Sequence, residues 1–552
     1  MLWALLLLPW VVALVLVRRH HHLDVAAVTI LFAVSLGLPT LWVTWAAFRG
    51  PRRSGTLASG LSMAQVADQL AAAVGAQWTA EAAVRRLNDP YPLPVSWVAA
   101  DASLIDAWDL LVKLAASGAG WPPVPSAGTW AAGPEDLAGE GGELAGMLAR
   151  VPTGRLVVLG EPGAGKTMLM VRLVLDLLAR RAEGGPVPFL ASVASWNPAA
   201  QDLRGWLSAR LLIDHPALVG RPPAGRTEPT QAAALLASGL ILPILDGLDE
   251  IADEVRGPAI SRINDALRPG EQVVVTCRTE QYRDAVRPQG GLEVTLRAAA
   301  AIQLRPLDPD AIRGYLCDDA AGPVAKARWD PVLAVLGTEA PAGQALATPL
   351  MVGLARAIYN PRPGELAGTL RDPAELCRPA LADRPTVESL LFDAFIPAAY
   401  RHDSAGRWKA RAAERWLVFI ARHLDHNIGG PDLAWWQLPL AVPGFILAVV
   451  VVVASGVVAG VVAGGAAGAA FLVESGAVRG VALVWVSYET ARMWLALRRQ
   501  LPWQLKGFLA DAHRRGVLRQ AGAVHQFRHI ELQHRLATRP VKKQHRTQFR
   551  VP

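Results

Sequence analysis

The chain has 552 residues, a formal net charge of +8 and a mean hydropathy of +0.26, and 52% of its residues are apolar. This length allows two or three domains, and the apolar content is high for a wholly soluble protein, which favours membrane segments. The positive charge is mostly arginine and no aromatic–basic motif accompanies it, so a specific nucleic-acid partner is not expected. Three scattered cysteines fit neither a disulfide framework nor a zinc site, which indicates that most of the chain is in the reducing environment of the cytosol.

Two uncharged stretches, residues 1–17 and 25–48, predict an N-terminal membrane hairpin over residues 1–53. A bilayer core needs about 20 apolar residues in a helix, so the first stretch is marginal and the second is sufficient. A cleaved signal peptide is the alternative for the first stretch, although it lacks a basic n-region and a clear cleavage site. The arginines between the two spans argue mildly against a cytosolic N-terminus, so charge determines the orientation only weakly.

A glycine-rich loop follows the segment 54–150, which we expect to be helical. Its sequence GEPGAGKT runs from Gly160 to Thr167, after an apolar strand and before an amphipathic helix, which is the context that gives this phosphate-binding pattern meaning. Backbone N–H groups would cradle the phosphates, Lys166 would reach the β- and γ-phosphates, and the Thr167 hydroxyl would bind Mg²⁺. The predicted nucleotide-binding residues are Gly160, Glu161, Pro162, Gly163, Ala164, Gly165, Lys166, Thr167 and Met168.

Three carboxylates stand at the end of a very apolar strand in the sequence LILPILDGLDEI, residues 240–251. Ionised carboxylates beside an apolar interior need a cation, a partner or water. In P-loop proteins such a strand ends in an acidic residue that holds the magnesium ion, and Asp246 occupies that position. We expect Asp249 and Glu250 to position and polarise the attacking water; the alternative is an acidic N-cap of a following helix.

Further strands complete the predicted nucleotide-binding domain. The stretch EQVVVTCRTEQY, residues 271–282, ends its apolar run at a polar tip, where Arg278 could sense a γ-phosphate or simply lie on the surface. Another strand is expected within residues 186–196. Strands that alternate with helices in this way predict a parallel, doubly wound sheet.

Residues 433–473 contain no charged side chain. One helix of this length would reach about 60 Å, twice the hydrocarbon thickness, so we predict a transmembrane hairpin over residues 441–473 that turns near Gly464. A buried helix of a soluble domain is the alternative, although valine and glycine are poor helix formers in water. The next segment, from residue 476, is expected to be interfacial or an additional span.

The motif DGLDE (residues 246–250), together with GEPGAGKT before it and VVVTCRTEQY after it, closely resembles the NACHT NTPases, which belong to the STAND class of signalling ATPases and are relatives of the AAA+ proteins. The pre-domain segment 78–97 is similar to that of actinobacterial NACHT proteins. Residues 304–316 and 346–359 resemble the family's helical domain, and residues 507–537 resemble its winged-helix segment.

The resemblance implies two further nucleotide contacts. Pro349, in the TPL element, would pack near the adenine, and His529, in a Phe-x-His motif, would reach the β-phosphate of ADP and lock the resting state. The chain departs from the family pattern after Gln533, where it has His534 and Arg535, which puts the local packing of His529 in question.

The resulting prediction is a membrane-anchored P-loop signalling NTPase that binds ATP or ADP and Mg²⁺, hydrolyses ATP slowly and self-associates in its ATP form. It would be a multi-pass membrane protein with a cytoplasmic NTPase domain, a lipid bilayer and further copies of itself as partners, an unknown trigger and a role suited to defence against phage. An ATP-driven membrane transport or remodelling machine and a scaffold that uses nucleotide only for assembly are the alternatives. The expected domains are 1–53, membrane hairpin; 54–150, helical; 151–300, NTPase; 301–430, helical; 431–490, membrane hairpin; 491–540, winged helix; and 541–552, basic tail.

Overall fold

A computed structural model of the protein describes residues 61–84, 93–117, 130–220, 222, 226–288, 293–320, 322–360, 371–401, 407–444, 476–521 and 524–539. These residues divide into two compact units. The first unit comprises the described residues of Ser59–Leu433 and Gln504–Pro552, and the second comprises those of Ala434–Trp503.

A seven-stranded sheet organises the first unit. Its strands are β1 (Ser96–Ala99), β2 (Gly139–Glu140), β3 (Arg155–Leu159), β4 (Val187–Ser192), β5 (Ile241–Asp246), β6 (Val273–Cys277) and β7 (Ala300–Leu304). They are arranged in the order β2-β1-β7-β3-β6-β5-β4. The five strands from β7 to β4 run parallel to one another, so the carboxyl ends of β3, β5 and β6 meet at one edge.

The parallel strands are mostly apolar because helices cover both faces of the sheet. Every residue of β3 and of β6 is buried. The register pairs Val157 of β3 with Val275 of β6 on one side and with Ala301 of β7 on the other. β3 therefore lies in the middle of the sheet and holds the loop that follows it on a rigid support.

The expectation of a purely parallel sheet is corrected by two strands that precede β3. Strand β1 pairs antiparallel with β7 and with β2, which makes the sheet mixed. Trp97 of β1 is 1% exposed, and its indole N–H donates to the carbonyl of Leu137 at 2.8 Å. These strands contain only four and two residues, which is too short for an alternating pattern to be visible in the sequence.

Helices surround this sheet and continue beyond it. Up to the end of the sheet they are α1 (Met63–Val84), α2 (Trp108–Ala116), α3 (Leu144–Arg150), α4 (Lys166–Arg180), α5 (Leu203–Asp214), α6 (Gln231–Ala237), α7 (Asp253–Ala266) and α8 (Thr279–Val286). After β7 follow α9 (Pro309–Asp318), α10 (Pro323–Ala327), α11 (Asp330–Leu333), α12 (Pro341–Ala345), α13 (Pro349–Tyr359), α14 (Arg384–Ala399) and α15 (Ala410–Arg422). Side-chain caps fix several of their starts: Asp202, Thr230, Asp308, Thr348 and Asp383 each accept a backbone N–H of the first turn.

The C-terminal part of the first unit is a helix, a hairpin and a helix. It consists of α17 (Leu505–Arg514), the antiparallel strands β8 (Leu518–Ala521) and β9 (Val524–Phe527), and α18 (Ile530–Thr538). Phe508 of α17 is fully buried and lies 5.1 Å from the ring of Trp416 in α15. Such edge-to-face aromatic contacts contribute about 1 kcal/mol beyond the free energy of burying their surface. The segment is therefore firmly attached to the helices before it.

The second unit, as far as the structure describes it, contains a 3-10 helix, Trp435–Ala441, and the helix α16 (Gly476–Leu497). The ring of Trp435 makes an edge contact with the ring of Tyr488 in α16, at 5.4 Å between centroids. This aromatic contact joins the two elements.

The predicted membrane architecture requires correction. Residues 1–53 and 445–473, which carry nearly all of the predicted spans, lie outside the described residues. Within the described part of the chain, no helix has both the length and the apolar character needed to cross a bilayer. Helix α16, the additional candidate, contains Arg479, Glu489 and Arg492, and charged side chains are costly in hydrocarbon. Transmembrane α-helices in the fold class and the multi-pass membrane location are therefore not supported.

Candidate functional site

The glycine-rich loop joins β3 to α4, as its sequence predicts. Gly163 and Gly165 adopt φ angles of +75° and +93°, which side chains with a Cβ rarely take. The ammonium group of Lys166 donates to the loop carbonyls of Gly160 at 2.6 Å and Glu161 at 3.2 Å. The backbone of the loop is thus curled around the first turn of a helix, where N–H groups and the helix dipole favour an anion.

The start of α13 packs directly on this loop. The N–H of Leu350 donates to the carbonyl of Gly163 at 3.2 Å, and a Cβ at Gly163 would come within 2.9 Å of the Leu350 side chain. Pro349 lies 3.4 Å from the place where a Cβ of Gly165 would stand. The segment that carries Pro349 is therefore next to the phosphate-binding loop, while its contact with an adenine ring stays a prediction.

Lys166 is the central cation of the site. Burial lowers its pKa, and the nearby carboxylates Asp249 and Asp246 oppose this effect by favouring the charged form. The side chain therefore stands between the carbonyls of the loop and two acidic groups that face it. The ammonium group can exchange its hydrogen bonds to the loop carbonyls for hydrogen bonds to a phosphate group while it stays near Asp249 and Asp246.

Asp246, the last residue of β5, is fixed by two hydroxyl groups. Thr167 Oγ1 donates to Asp246 Oδ2 at 2.8 Å, and Thr276 Oγ1 donates to Asp246 Oδ1 at 2.7 Å. The Thr276 hydroxyl also accepts the N–H of Gly247 at 2.9 Å. The two residues predicted to hold magnesium, Thr167 and Asp246, are therefore in direct contact, and the orientation of the carboxylate is set by β6.

Asp249 and Arg278 form an ion pair at the same edge of the sheet. Arg278 Nε lies 2.8 Å from Asp249 Oδ2, and the backbone N–H of Arg278 donates to Asp249 Oδ1 at 3.1 Å. The Asp249 side chain is only 8% exposed, whereas that of Arg278 is 29% exposed. Arg278 is thus held by an acidic residue of the site, and its contact with a γ-phosphate stays a prediction.

Glu250 ends the 3-10 turn that follows β5 and lies beside Ser192, whose hydroxyl donates to Glu250 Oε2 at 3.4 Å. One side of Glu250 faces solvent, but dense protein around the carboxyl group and the charge of Asp246 raise its pKa to about 7. The positive charge of Arg519 acts in the opposite direction. A carboxyl group with a pKa near neutral pH is well suited to accept a proton from water.

A small cleft opens beside Asp246. It is lined by residues of α1, β4, α5, β5 and the β8–β9 hairpin: Gln77, Trp78, Leu190, Ser192, Arg210, Asp214, Asp246, Arg519, Gln520 and Gln526. Three of these belong to a hairpin more than 270 residues away in the sequence from Asp246. The hairpin therefore forms one wall of the space next to the predicted magnesium ligand.

His529, the other residue implied by the resemblance, is the N-cap of α18 and is half-buried. The contacts of the glycine-rich loop described above are made by Lys166 and by α13. The contact of His529 with a phosphate stays a prediction. Glu161 and Pro162 are exposed on the loop, Ala164 is buried, and Met168 is in the first turn of α4.

Sequence reasoning missed two kinds of residue. Thr276 is the first, although a threonine inside an apolar β6 is a usable signal for a buried hydroxyl with a specific partner. Arg519 and Gln526 were not singled out, because one arginine among many in an arginine-rich chain carries no signal by itself.

Magnesium and a nucleotide fit the residues present. Among the described residues no group of three or more His, Cys, Asp or Glu side chains could hold a metal ion by itself. Mg²⁺ in nucleotide sites is commonly held by one or two protein groups with water and phosphate oxygens, and Thr167 and Asp246 supply such a pair. A Cβ at Gly163 would come within 2.9 Å of the Leu350 side chain, so the close packing of α13 on the loop requires glycine there.

Comparisons with known proteins locate a family within this region. Residues 154–321 match the model of the NACHT domain. Among solved structures, Cdc6p from Pyrobaculum aerophilum is 15% identical and matches 70% of this chain and 87% of its own, with a TM-score of 0.21. The Walker-type ATPase paby2304 of Pyrococcus abyssi is 9% identical and matches 69% of this chain and 90% of its own, with a TM-score of 0.20. These two scores are too low to carry an argument, and no curated protein matches the sequence. The family match and the site together identify residues 154–321 as a NACHT domain and the protein as a P-loop NTPase.

Proposed function

We propose that the protein is a nucleotide-dependent switch that binds Mg²⁺–ATP, hydrolyses it slowly to ADP and self-associates in its ATP form. The observation that carries this proposal is the position of the β8–β9 hairpin. Arg519, Gln520 and Gln526 of the hairpin line the same cleft as Asp246 and Ser192. A C-terminal element that borders the nucleotide site is able to respond to what the site holds.

The residues divide the chemistry between them. Lys166 and the backbone of the glycine-rich loop would hold the phosphates, and Thr167 with Asp246 would hold Mg²⁺, which supplies positive charge to the phosphate oxygens. Glu250 would take a proton from the attacking water. The water oxygen then bonds to the γ-phosphorus, the bond from that phosphorus to the β–γ bridging oxygen breaks, and ADP and inorganic phosphate leave. Asp249 would hold Arg278 ready for the γ-phosphate.

The ADP-bound resting state is included on the resemblance to NACHT proteins, and the hairpin that lines the cleft beside Asp246 is the element that it would hold in place. In this proposal His529 contacts the β-phosphate of ADP, and exchange of ADP for ATP releases the hairpin and permits contacts between copies of the chain. A role in bacterial defence against phage is included on the resemblance to NACHT proteins alone. Fold analogy does not establish a pathway, so that part requires a separate plating test with and without the gene.

The first experiment is to purify the protein without added nucleotide and identify what is bound by chromatography. We expect stoichiometric ADP in the wild type, none in Lys166→Ala and a reduced amount in His529→Ala. The matched controls are Lys506→Ala and His534→Ala, which remove the same side chains at exposed positions. An empty wild-type site with rapid ATP turnover would refute the ADP resting state.

A second experiment tests self-association. Sedimentation velocity with ADP or a non-hydrolysable ATP analogue should show a larger species only with the analogue, and Lys166→Ala should remain small under both conditions. An identical sedimentation coefficient in both nucleotides would remove the self-associating state from the proposal.

A further inference from the structure

Arg256 lies in the first turn of α7, a few residues after the acidic turn that follows β5. Only 4% of this residue is exposed. A buried guanidinium is costly unless several acceptors surround it, because it stays charged in the interior of a protein. The acceptors of Arg256 therefore show which part of the molecule this charge holds in place.

Three of the acceptors are backbone carbonyls of the acidic turn. Arg256 Nε donates to the carbonyl of Leu248 at 3.3 Å, and Nη2 donates to the carbonyls of Asp249 at 3.2 Å and Ile251 at 2.9 Å. The planar guanidinium fixes the directions of its N–H groups, so these carbonyls keep their positions relative to one another. Residues 248–251 are thus held from the interior by one side chain.

A fourth hydrogen bond lies on the solvent side of the guanidinium. Arg256 Nη2 also donates to Asp253 Oδ1 at 2.6 Å, and the side chain of Asp253 is 86% exposed. Because an exposed carboxylate is well hydrated, this bond contributes less than the buried ones. Asp253 therefore orients the guanidinium, and the carbonyls of the turn are what it holds.

The turn that Arg256 holds carries both of the proposed catalytic carboxylates. Asp249 and Glu250 lie within the held stretch, residues 248–251. The Glu250 carboxylate accepts from the Ser192 hydroxyl at a long 3.4 Å, which fixes it weakly. The position of this carboxylate therefore depends on the backbone that carries it.

We propose that Arg256 is a positioning residue for ATP hydrolysis, whose bonds to the carbonyls of the acidic turn hold Glu250 where the attacking water meets the γ-phosphate. This inference rests on the proposed function, because it takes Glu250 as the group that accepts the proton from water.

Binding of the nucleotide depends on different contacts. Lys166 donates to the carbonyls of the glycine-rich loop, and the hydroxyl of Thr167 donates to Asp246. The hydrogen bonds described for Arg256 go to the acidic turn and to Asp253. Loss of Arg256 should therefore slow the chemical step and leave the affinity for Mg²⁺–ATP nearly intact.

The test combines two measurements on the whole chain, after its bound nucleotide has been removed. The first is the rate of hydrolysis of Mg²⁺–ATP in a single turnover, with the protein in excess. The second is the Kd of a non-hydrolysable ATP analogue with Mg²⁺, from equilibrium dialysis. A single turnover is complete before ADP has to leave, so nucleotide exchange does not enter the rate. Both are measured well below the unfolding temperature of each variant.

Arg256→Met removes the charge and keeps the length of the side chain. We expect its rate to fall about 30-fold, since misplacement of a reacting group by about 1 Å costs about 100-fold and the ion pair of Asp249 with Arg278 preserves part of the geometry. Its Kd should stay close to that of the wild type. Arg256→Lys should regain part of the rate, because an ammonium group can donate to some of the same carbonyls. Arg262→Met, at an exposed arginine of α7, is the matched control and should change neither quantity.

A second pair of variants decides the question if Arg256→Met does not fold. Asp253→Ala removes the exposed partner of Arg256, and Glu254→Ala removes another exposed carboxylate from the first turn of α7. Both lose a similar favourable interaction with the helix dipole, so a difference between them reports the contact with Arg256. We expect the rate to fall about threefold in Asp253→Ala, which is in keeping with one exposed ion pair, and to stay unchanged in Glu254→Ala.

The outcomes separate this inference from the proposed function. A wild-type rate in Arg256→Met, or a loss of rate matched by an equal loss of affinity, overturns the positioning role. If that variant does not fold, equal rates in Asp253→Ala and Glu254→Ala overturn it. A wild-type rate in Glu250→Gln, with hydrolysis abolished in Lys166→Ala, refutes Glu250 as the base and removes the premise of the inference. A slow Glu250→Gln beside an unaffected Arg256→Met refutes the role of Arg256 alone.

Discussion

Replacement of Asp432 by alanine should loosen the β8–β9 hairpin by about 2 kcal/mol. The Asp432 carboxylate accepts from Arg210 at 2.5 Å and from the Gln526 amide, and the side chain of Arg210 is 6% exposed while Gln526 is 1% exposed. Each buried donor left without an acceptor costs about 1–3 kcal/mol. Asp432 is itself 18% exposed, so water can replace part of what is lost. Arg210 also keeps Asp214 at 3.1 Å, which places the sum at the low end.

Hydrogen exchange measures this loosening locally. The hairpin is joined to the chain near Asp432 by a backbone bridge in which His525 donates to the carbonyl of Leu433 at 3.1 Å and Leu433 donates to the carbonyl of His525 at 2.7 Å. If opening of the hairpin controls exchange, a loss of about 2 kcal/mol accelerates the His525 amide about 30-fold, since 1.4 kcal/mol corresponds to a factor of ten. Mass spectrometry of peptides that cover β9 gives this rate.

Two further variants make the measurement decisive. Asp425→Ala removes the same charge seven positions earlier, where the side chain is 38% exposed and lies 4.0 Å from His426, so it should change the exchange rate less than twofold. Asp432→Asn keeps an oxygen acceptor for one of the two donors, since Arg210 and Gln526 bond to different carboxylate oxygens, and it should fall between the wild type and Asp432→Ala. Equal exchange in Asp432→Ala and the wild type would refute the reasoning that the buried pair holds the hairpin.

Three other predictions follow from the site and its support. Thr276→Val should weaken Mg²⁺–nucleotide binding and cost about 1–3 kcal/mol of stability, since it removes a buried donor to Asp246, and calorimetric titration with thermal unfolding checks both effects. Gly163→Ala should abolish nucleotide binding in equilibrium dialysis, because the φ of +75° and the contact with Leu350 exclude a Cβ, and a variant that binds normally would contradict the assigned loop geometry. Burial lowers the pKa of His215 to about 4, so the unfolded chain binds the extra proton first as pH falls below 6.5. The free energy of unfolding should therefore decrease between about pH 6.5 and 4. In denaturant unfolding, His215→Phe should show a smaller change of this free energy with pH over that window.

The pH prediction for Glu250 has the opposite sign. Its folded-state pKa is raised to about 7, so the folded protein binds a proton there more readily than the unfolded chain does. The contribution of this group to stability is therefore largest below its ordinary pKa of 4.5 and is lost as pH rises towards 7. A carboxyl group whose pKa is shifted towards neutral pH is typical of a functional site.

The nucleotide-binding core was predictable because its signals are local. The glycines of the loop, the apolar β3 before it and the carboxylates after β5 each report a backbone conformation or a burial pattern within about ten residues. The structure brings these segments to one edge of the sheet, with Thr167 and Asp246 in contact at 2.8 Å. When apolar strands run parallel, the polar residues at their carboxyl ends lie at the same edge of the sheet.

The prediction of transmembrane helices is wrong for the described residues. Helix α16 shows the limit, because its mostly apolar sequence includes Arg479, Glu489 and Arg492 and does not reach the apolar character of a span. Composition favoured membrane segments, but no helix of the described residues combines the length and the apolar character of a span.

The sequence by itself determined the phosphate-binding loop, the acidic strand end and the alternation of strands and helices. Only the tertiary structure decided that β1 pairs antiparallel with β7, that α13 packs on the loop, and that Arg519 lines the cleft beside Asp246. The physical reason is distance along the chain: Arg210 and Asp432 are 222 residues apart, and no local preference of either residue indicates the other. Such pairs form because many apolar surfaces pack at once and fix the backbones that carry the charges.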